Sequence, residues 1–240
     1  MALMISMKKF EEGTPIVIAH RGGAELFTEN TLTAFRKAEE LGVDAIECDI
    51  HLTKDHHIVV MHDPDLKRVA GIDKKISEMT LEEVKSVTLN GGETIPTLEE
   101  TIQAVSVQIV VELKSFGALM ELGKLFHHNP DLVGRCIVIC FDHRAIQKLK
   151  KAIPELSTGA LLAGFPVDPV SLAGSCGADT ISLYYEGLDR DYVKMCHRGG
   201  LKVSVWTPNT IEEIQKMIDI GVDAIATDRP DILLDLLKRR

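Results

Sequence analysis

No CxxC pair occurs among the five cysteines (Cys48, Cys136, Cys140, Cys176 and Cys196), and their number is odd. Neither a zinc ligand set nor a disulfide framework follows. Most of them sit in or beside apolar runs, which predicts buried free thiols in a reducing compartment. No segment approaches the ~18 consecutive apolar residues of a membrane span. The opening MALMISMKKFEEG lacks the long apolar stretch of a secretory leader, and charges follow almost at once. A cytoplasmic protein without stable membrane anchoring is expected. Excess positive charge is missing as well. With 27 basic and 36 acidic residues the net charge is −9, which argues against general nucleic-acid binding. An anionic ligand would need local positive charge from a few side chains or a metal. No Pro/Ser-rich linker divides the chain, so a single domain over residues 1–240 is expected.

What is present points to a large core. The chain of 240 residues is 45% hydrophobic and 26% charged, about right for one (β/α)8 barrel or doubly wound domain. A phrase recurs: LGVDAI at 41–46, IGVDAI at 220–225 and GADTI at 177–181. Each follows a helix-like stretch and begins a strand-like one, with Gly42, Gly177 and Gly221 where a helix C-terminus favours a left-handed residue. Recurrence near both ends of the chain is what successive β/α units of one parallel sheet produce. Strand-like runs fall at 16–20, 44–50, 58–62, 107–114, 136–141, 157–162, 179–184, 202–206 and 223–227. Helix-like runs fall at 30–41, 80–88, 97–105, 117–127, 143–152, 168–176, 189–199, 210–220 and 230–239. Asn30, Asp189 and Thr210 read as N-caps, the last with Glu213 in a capping-box pattern. Nine strands exceed eight staves by one. The irregularity is placed at 44–62, where HLTKDHH is too short for a crossover helix. Residues 63–96 are polar and contain glycine, and they read as a loop with one short helix laid over a barrel mouth.

Four of these apolar runs end in ionisable groups: His20-Arg21, Glu47-Cys48-Asp49, His62-Asp63 and Glu112-Leu113-Lys114. Charges beside a β-branched core are costly unless paired or metal-bound. Residues i and i+2 of a strand share a face, so Glu47 and Asp49 point together with Cys48 toward the helical layer, and Glu112 points with Lys114. In a barrel these groups converge at the C-terminal rim, where barrel enzymes keep their sites. Three carboxylates repel one another, and a hard divalent cation, Mg²⁺ or Ca²⁺, resolves the conflict through oxygen ligands. The alternative is a metal-free Glu–Arg–Lys ion network. His20 and His62 end neighbouring strands beside the carboxylates, where imidazole suits proton transfer near neutral pH. His51, His56, His57, His127, His128, His143 and His197 read as surface residues.

HRGG at 20–23, ENT at 29–31, AIECDI with TKD at 45–55, VVMHD at 59–63, IPTLEE at 95–100, VELK at 111–114, VSVWT at 203–207 and ATDRP at 226–230 together resemble the glycerophosphodiester phosphodiesterases. The resemblance runs from about residue 15 to 232 in the family's order. It implies a TIM barrel with Glu47, Asp49 and Glu112 as ligands of one divalent cation, and His20 and His62 as the acid/base pair. Arg21 and Lys114 would hold phosphate oxygens. The implied reaction is hydrolysis of a glycerophosphodiester to sn-glycerol 3-phosphate and an alcohol, with attack by the glycerol 2-hydroxyl giving a cyclic phosphate that water opens.

Trp206 and Phe141, each ending a strand, are candidates for a wall along the glycerol. Asp228 either bonds a mouth-lining group or caps the helix begun by Pro230, and Glu29-Asn30 is placed to brace the loop after His20. Thr28, His56 and Cys140 stand where the family usually has proline, glycine and serine, which touches loop geometry and not the proposed ligands. The shortness of 63–96 and its few exposed apolar residues favour soluble head-group diesters. Lysophospholipase D-like or sphingomyelinase D-like action on longer lipids is the enzymatic alternative. A silent phosphate-ester-binding barrel is the non-enzymatic one, and the presence of all seven site residues argues against it.

Overall fold

The computed structural model describes residues 13–238, so the leader reading of the first residues lies largely outside the described part. Along the described residues the strands are β1 Ile16–Ala19, β2 Ala45–Leu52, β3 Ile58–Val60, β4 Asp65–Leu66, β5 Ile72–Lys75, β6 Gln108–Leu113, β7 Cys136–Cys140, β8 Ser157–Leu162, β9 Thr180–Tyr184, β10 Lys202–Trp206 and β11 Ala224–Thr227. The α-helices are α1 Leu32–Leu41, α2 Lys67–Ala70, α3 Leu81–Lys85, α4 Leu98–Ala104, α5 Leu119–His128, α6 His143–Ala152, α7 Pro169–Cys176, α8 Arg190–Arg198, α9 Ile211–Ile220 and α10 Pro230–Lys238. Eight strands pair in parallel in the order β1-β11-β10-β9-β8-β7-β6-β2, and a β1–β2 pairing closes the ring. This is the expected (β/α)8 barrel, and the extra ninth strand lies where it was expected. The strand β3 turns back antiparallel on β2, with Ile50 opposite Val60.

The recurring Gly-x-Asp phrase has one local cause at all three places. Gly42, Gly177 and Gly221 end α1, α7 and α9 at φ 95°, 74° and 86°, a backbone that a Cβ would strain. The aspartate two residues later makes a pair of bonds with the preceding strand. Its N–H donates to the carbonyl of Val17, Thr158 or Val203. Its carboxylate accepts the N–H of the same residue, at 3.0 Å for Asp44, 2.9 Å for Asp179 and 2.8 Å for Asp223. Each unit thus pins a new strand to its neighbour at the floor of the barrel.

Strand alternation sorts the core into two layers. Val17, Ile46, Cys48, Ile50, Val111, Val138 and Val203 pack outward against the helices. Ile18, Ala45, Val110, Ile139, Leu161, Ala224 and Ala226 fill the barrel itself. All five cysteines are buried and free, as expected, and burial raises the Cys48, Cys136, Cys140 and Cys196 thiols above their ordinary value and so keeps them protonated.

Two expectations need correction here. Residues 63–96 are more than a loop with one helix. They hold the antiparallel pair β4–β5, both α2 and α3, and a small core of Leu66, Ile76, Met79, Val84, Val87, Leu89 and Ile95. Apolar residues scattered among charges concealed that core, because its elements are too short to show periodicity. Asn30 is also not the cap of α1. Thr31 is, its side chain accepting the Ala34 N–H. Asp189 and Thr210 cap α8 and α9 as expected, Thr210 in a full capping box with Glu213.

The double bond of Asp223 predicts a defined cost. In Asp223→Ala the buried Val203 N–H loses its acceptor, and stability falls by about 1–3 kcal/mol. Asp223→Asn, which keeps an acceptor oxygen, recovers most of the loss. Equilibrium urea unfolding measures both, and an alanine variant as stable as wild type refutes the clamp.

Candidate active site

The turn after β1 builds one side of the site. Arg21 sits at φ 50° and Gly22 at φ 84°, and a Cβ on Gly22 would lie 2.8 Å from the Ala34 Cβ, so glycine is required there. This tight reversal aims the Arg21 N–H at Glu47, to whose Oε2 it donates at 2.9 Å. Asn30, at φ 56°, closes the same loop. Its N–H donates to the Arg21 carbonyl, and its Nδ2 donates to Asp49 Oδ2 at 2.9 Å.

The three carboxylates come together as expected. Strand register sets Asp49 of β2 directly beside Glu112 of β6. Ligand oxygens of Glu47, Asp49 and Glu112 lie within 4.8 Å of one another, with the residues 2%, 0% and 8% exposed. Lys114 Nζ stands 2.6 Å from Glu112 Oε1 and 3.0 Å from Asp49 Oδ1, and Arg21 Nε stands 3.3 Å from Asp49 Oδ2. Two cations therefore serve three acids. Glu47 receives neither, and its Oε1 is buried without a hydrogen-bond partner. Burial and the charges of Asp49 and Glu112 drive the Glu47 carboxyl up to about 8. Burial also raises Glu112, against the pull of Lys114. Burial alone would raise Asp49, yet Lys114, Arg21, His62 and the Asn30 amide hold it below the ordinary value. An orphaned oxygen inside an all-oxygen cluster fits a hard divalent cation, with Glu47, Asp49 and Glu112 as its holders.

Both histidines are oriented from behind. His20 Nδ1 lies 2.7 Å from Asp228 Oδ1, and His62 Nδ1 lies 2.6 Å from Asp63 Oδ1. A carboxylate only accepts, and both aspartates are held below the ordinary carboxylate range. Asp63 is at about 2 through its bond from Arg68. Asp228, despite burial, is lowered by His20 and Asn209. Each imidazole thus donates from Nδ1, and in its neutral form keeps the lone pair at Nε2. Burial lowers His62. In His20 burial is outweighed by Asp228 and by the charge of Glu47, so its pKa is raised.

Trp206, at the end of β10, meets Phe141 edge-on at 5.8 Å and Tyr184 at 5.3 Å. Phe141 remains 49% exposed. The two expected wall residues are therefore in contact at the rim, joined by Tyr184, which was not anticipated.

Several residues escaped the sequence reading or were misread. His51 is not a surface residue. It is 8% exposed, with Nε2 3.0 Å from the His62 carbonyl oxygen, because β3 folds back over its strand. Asp63, the second half of the His-Asp pair in the sequence, orients His62 through Nδ1, a role its position in the sequence alone does not reveal. Asp228 bonds His20 and Asn209, so it bonds a mouth-lining group, the first of its two expected roles. Glu29 braces the first loop as expected, through Arg21 at 3.3 Å, and also takes Arg68. His56 stands at φ 65°, a left-handed backbone that glycine adopts without strain, which fits the glycine that the resemblance led one to expect there. Cys140 Sγ bonds the Leu113 carbonyl and accepts the Asp142 N–H, filling the place of a hydroxyl.

A closed parallel barrel with its ionisable groups gathered at the C-terminal ends of β1, β2, β6 and β11 has the layout of a (β/α)8 enzyme. The model of the Glycerophosphoryl diester phosphodiesterase family matches residues 20–232. A glycerophosphodiester phosphodiesterase of Caldanaerobacter subterraneus subsp. tengcongensis is 34% identical over 239 residues, covering 93% of this chain and 98% of its own. Among solved structures, an Oleispira antarctica phosphodiesterase in complex with the product sn-glycerol-3-phosphate superposes with a TM-score of 0.87, at 25% identity over 94% of this chain and 97% of its own. A glycerophosphodiester phosphodiesterase from Parabacteroides distasonis gives 0.82 at 29% identity over 95% and 98%. The chain belongs to the glycerophosphoryl diester phosphodiesterase family and is an enzyme of that family.

The charge imbalance has a measurable consequence. The carboxyl of Glu47 is raised from 4.5 to about 8, so metal-free protein loses stability as pH rises through that window. Glu47→Gln removes the cost. At pH 7 in chelator its thermal midpoint should exceed wild type by at least about 2 °C, the shift of ~1 kcal/mol in a chain this size. Added Mg²⁺ or Ca²⁺ should raise the wild-type midpoint and leave the variant unmoved. A variant less stable in chelator contradicts the reading.

Proposed function

We propose that the chain hydrolyses glycerophosphodiesters to sn-glycerol 3-phosphate and an alcohol as a single TIM-barrel domain, 63–96 lying beside its mouth. It does so with one divalent cation, Mg²⁺ or Ca²⁺, and with His20 and His62 as proton carriers. The observation that carries this reading is the three-acid cluster with an orphaned Glu47 oxygen, flanked by two imidazoles each tied through Nδ1 to an aspartate. The product-bound relative of the same fold supports the substrate class.

The residues divide the work as follows. Glu47, Asp49 and Glu112 would hold the cation. When bound, it would supply Lewis-acid charge to offset the negative charge of the phosphodiester. Lys114 and Arg21 now share their charge among the carboxylates. With those acids neutralised, an ammonium and a guanidinium remain at the rim for phosphate oxygens, where one such contact is worth about 2.7–4 kcal/mol in the transition state. One histidine accepts the proton of the glycerol 2-hydroxyl at Nε2 while the other gives a proton to the leaving alkoxide. The cyclic phosphate so formed is opened by water with the roles exchanged. The aspartates at Nδ1 hold each ring in the tautomer this exchange needs. Trp206 and Phe141, with Tyr184, would give the glycerol carbons an apolar wall.

Turnover tests this directly. Chelator should abolish release of glycerol 3-phosphate from glycerophosphocholine, glycerophosphoethanolamine and glycerophosphoglycerol, and Mg²⁺ or Ca²⁺ should restore it. Activity unchanged in chelator rejects the cation, and turnover of lysophosphatidylcholine alone rejects the substrate class. His20→Ala and His62→Ala should each lower kcat by roughly 10²–10⁴-fold with thermal midpoints near wild type. A variant that keeps wild-type kcat removes that histidine from the mechanism.

A further inference from the structure

Arg68, in the short helix α2 of the 63–96 insertion, uses every nitrogen of its guanidinium on two acids. Its Nε donates to Asp63 Oδ2 at 2.7 Å. Its Nη1 and Nη2 donate to Glu29 Oε2 at 2.9 Å and Oε1 at 2.7 Å. Each acid leads on into the site. Asp63 holds His62 by Nδ1 at 2.6 Å. Glu29 lies 3.3 Å from Arg21 Nη1, and Arg21 reaches Asp49. The helix carrying Arg68 is itself tied down, since Asn90 donates from its backbone N–H to the Val69 carbonyl and from Nδ2 to the Arg68 carbonyl.

The Arg68 side chain is about half exposed, and ion pairs in that setting add little stability. A guanidinium forked between two carboxylates fixes their planes, which an ammonium cannot do. We propose that Arg68 is a positioning residue for the reaction, aligning His62 through Asp63 and Arg21 through Glu29, so that the insertion is part of the catalytic apparatus. The proposal rests on the reading of His62 and Arg21 given above. It explains why a segment outside the barrel has its own small core: that core anchors one arginine at a fixed height beside the rim.

Steady-state kinetics on the full chain test it. Arg68→Ala and Arg68→Lys should each lower kcat by about 10–100-fold, the range for outer partners of site residues, with the thermal midpoint and the midpoint shift on adding Ca²⁺ unchanged. In an Asp63→Ala, Glu29→Ala background, which leaves the guanidinium no side-chain acceptor on either path, Arg68→Ala should cost less than about 3-fold. Millimolar guanidinium should restore part of the Arg68→Ala rate and leave wild type unaffected, because the truncated side chain opens onto an adjoining cavity of about 230 Å³. A loss below about tenfold in Arg68→Ala beside an inactive His62→Ala overturns the proposal and leaves the proton-carrier reading standing. An equally large loss in the double background also overturns it. An active His62→Ala overturns both.

Discussion

Three carboxyl groups are buried beside only two permanent cations, Lys114 and Arg21, and the remainder of the site is arranged around that shortfall. Glu47 takes only the backbone N–H of Arg21, while Lys114 and Arg21 are committed to its neighbours. A network selected for stability would add a third cation or replace an acid by an apolar residue, since buried ion pairs rarely outperform packed hydrocarbon. Keeping an under-neutralised cluster costs folding energy, and the cost makes sense if a divalent ion completes it.

The barrel delivers the cluster with little freedom. Register between β2 and β6 sets Asp49 against Glu112, and a one-residue slip would turn both into the helical layer. The Gly-x-Asp clamps hold the floor of the sheet at three joints, where the strands begin. The left-handed turn at Arg21 and Gly22 then brings a backbone donor to Glu47 and sets His20 against Asp228. Rigidity from the floor upward allows loops at the rim to carry function.

Much of this was legible in the sequence because two periodicities coincide with chemistry. Alternation along AIECDI and VELK puts the acids on one face and Cys48 on the other, and Cys48 indeed packs in the outer layer. The irregularity at β3 followed from the length of HLTKDHH, and the fold shows it as an antiparallel excursion. Legibility failed where a residue's role depends on a distant partner. Asn30 looks like a helix cap, and only the fold shows its amide on Asp49. His51 looks polar and turn-like until β3 covers it. Asp228, 208 residues from His20 along the chain, meets it only because β11 lies beside β1. The insertion hid its core in elements of two to five residues, too short for a pattern to register.

The most direct test is a crystal of the full chain grown or soaked with Ca²⁺ and measured for anomalous scattering. One strong peak with oxygens of Glu47, Asp49 and Glu112 all at about 2.3–2.6 Å is what this account requires. A saturated crystal with no density among these carboxylates, or with the ion held elsewhere while Lys114 keeps both of its acids, contradicts it.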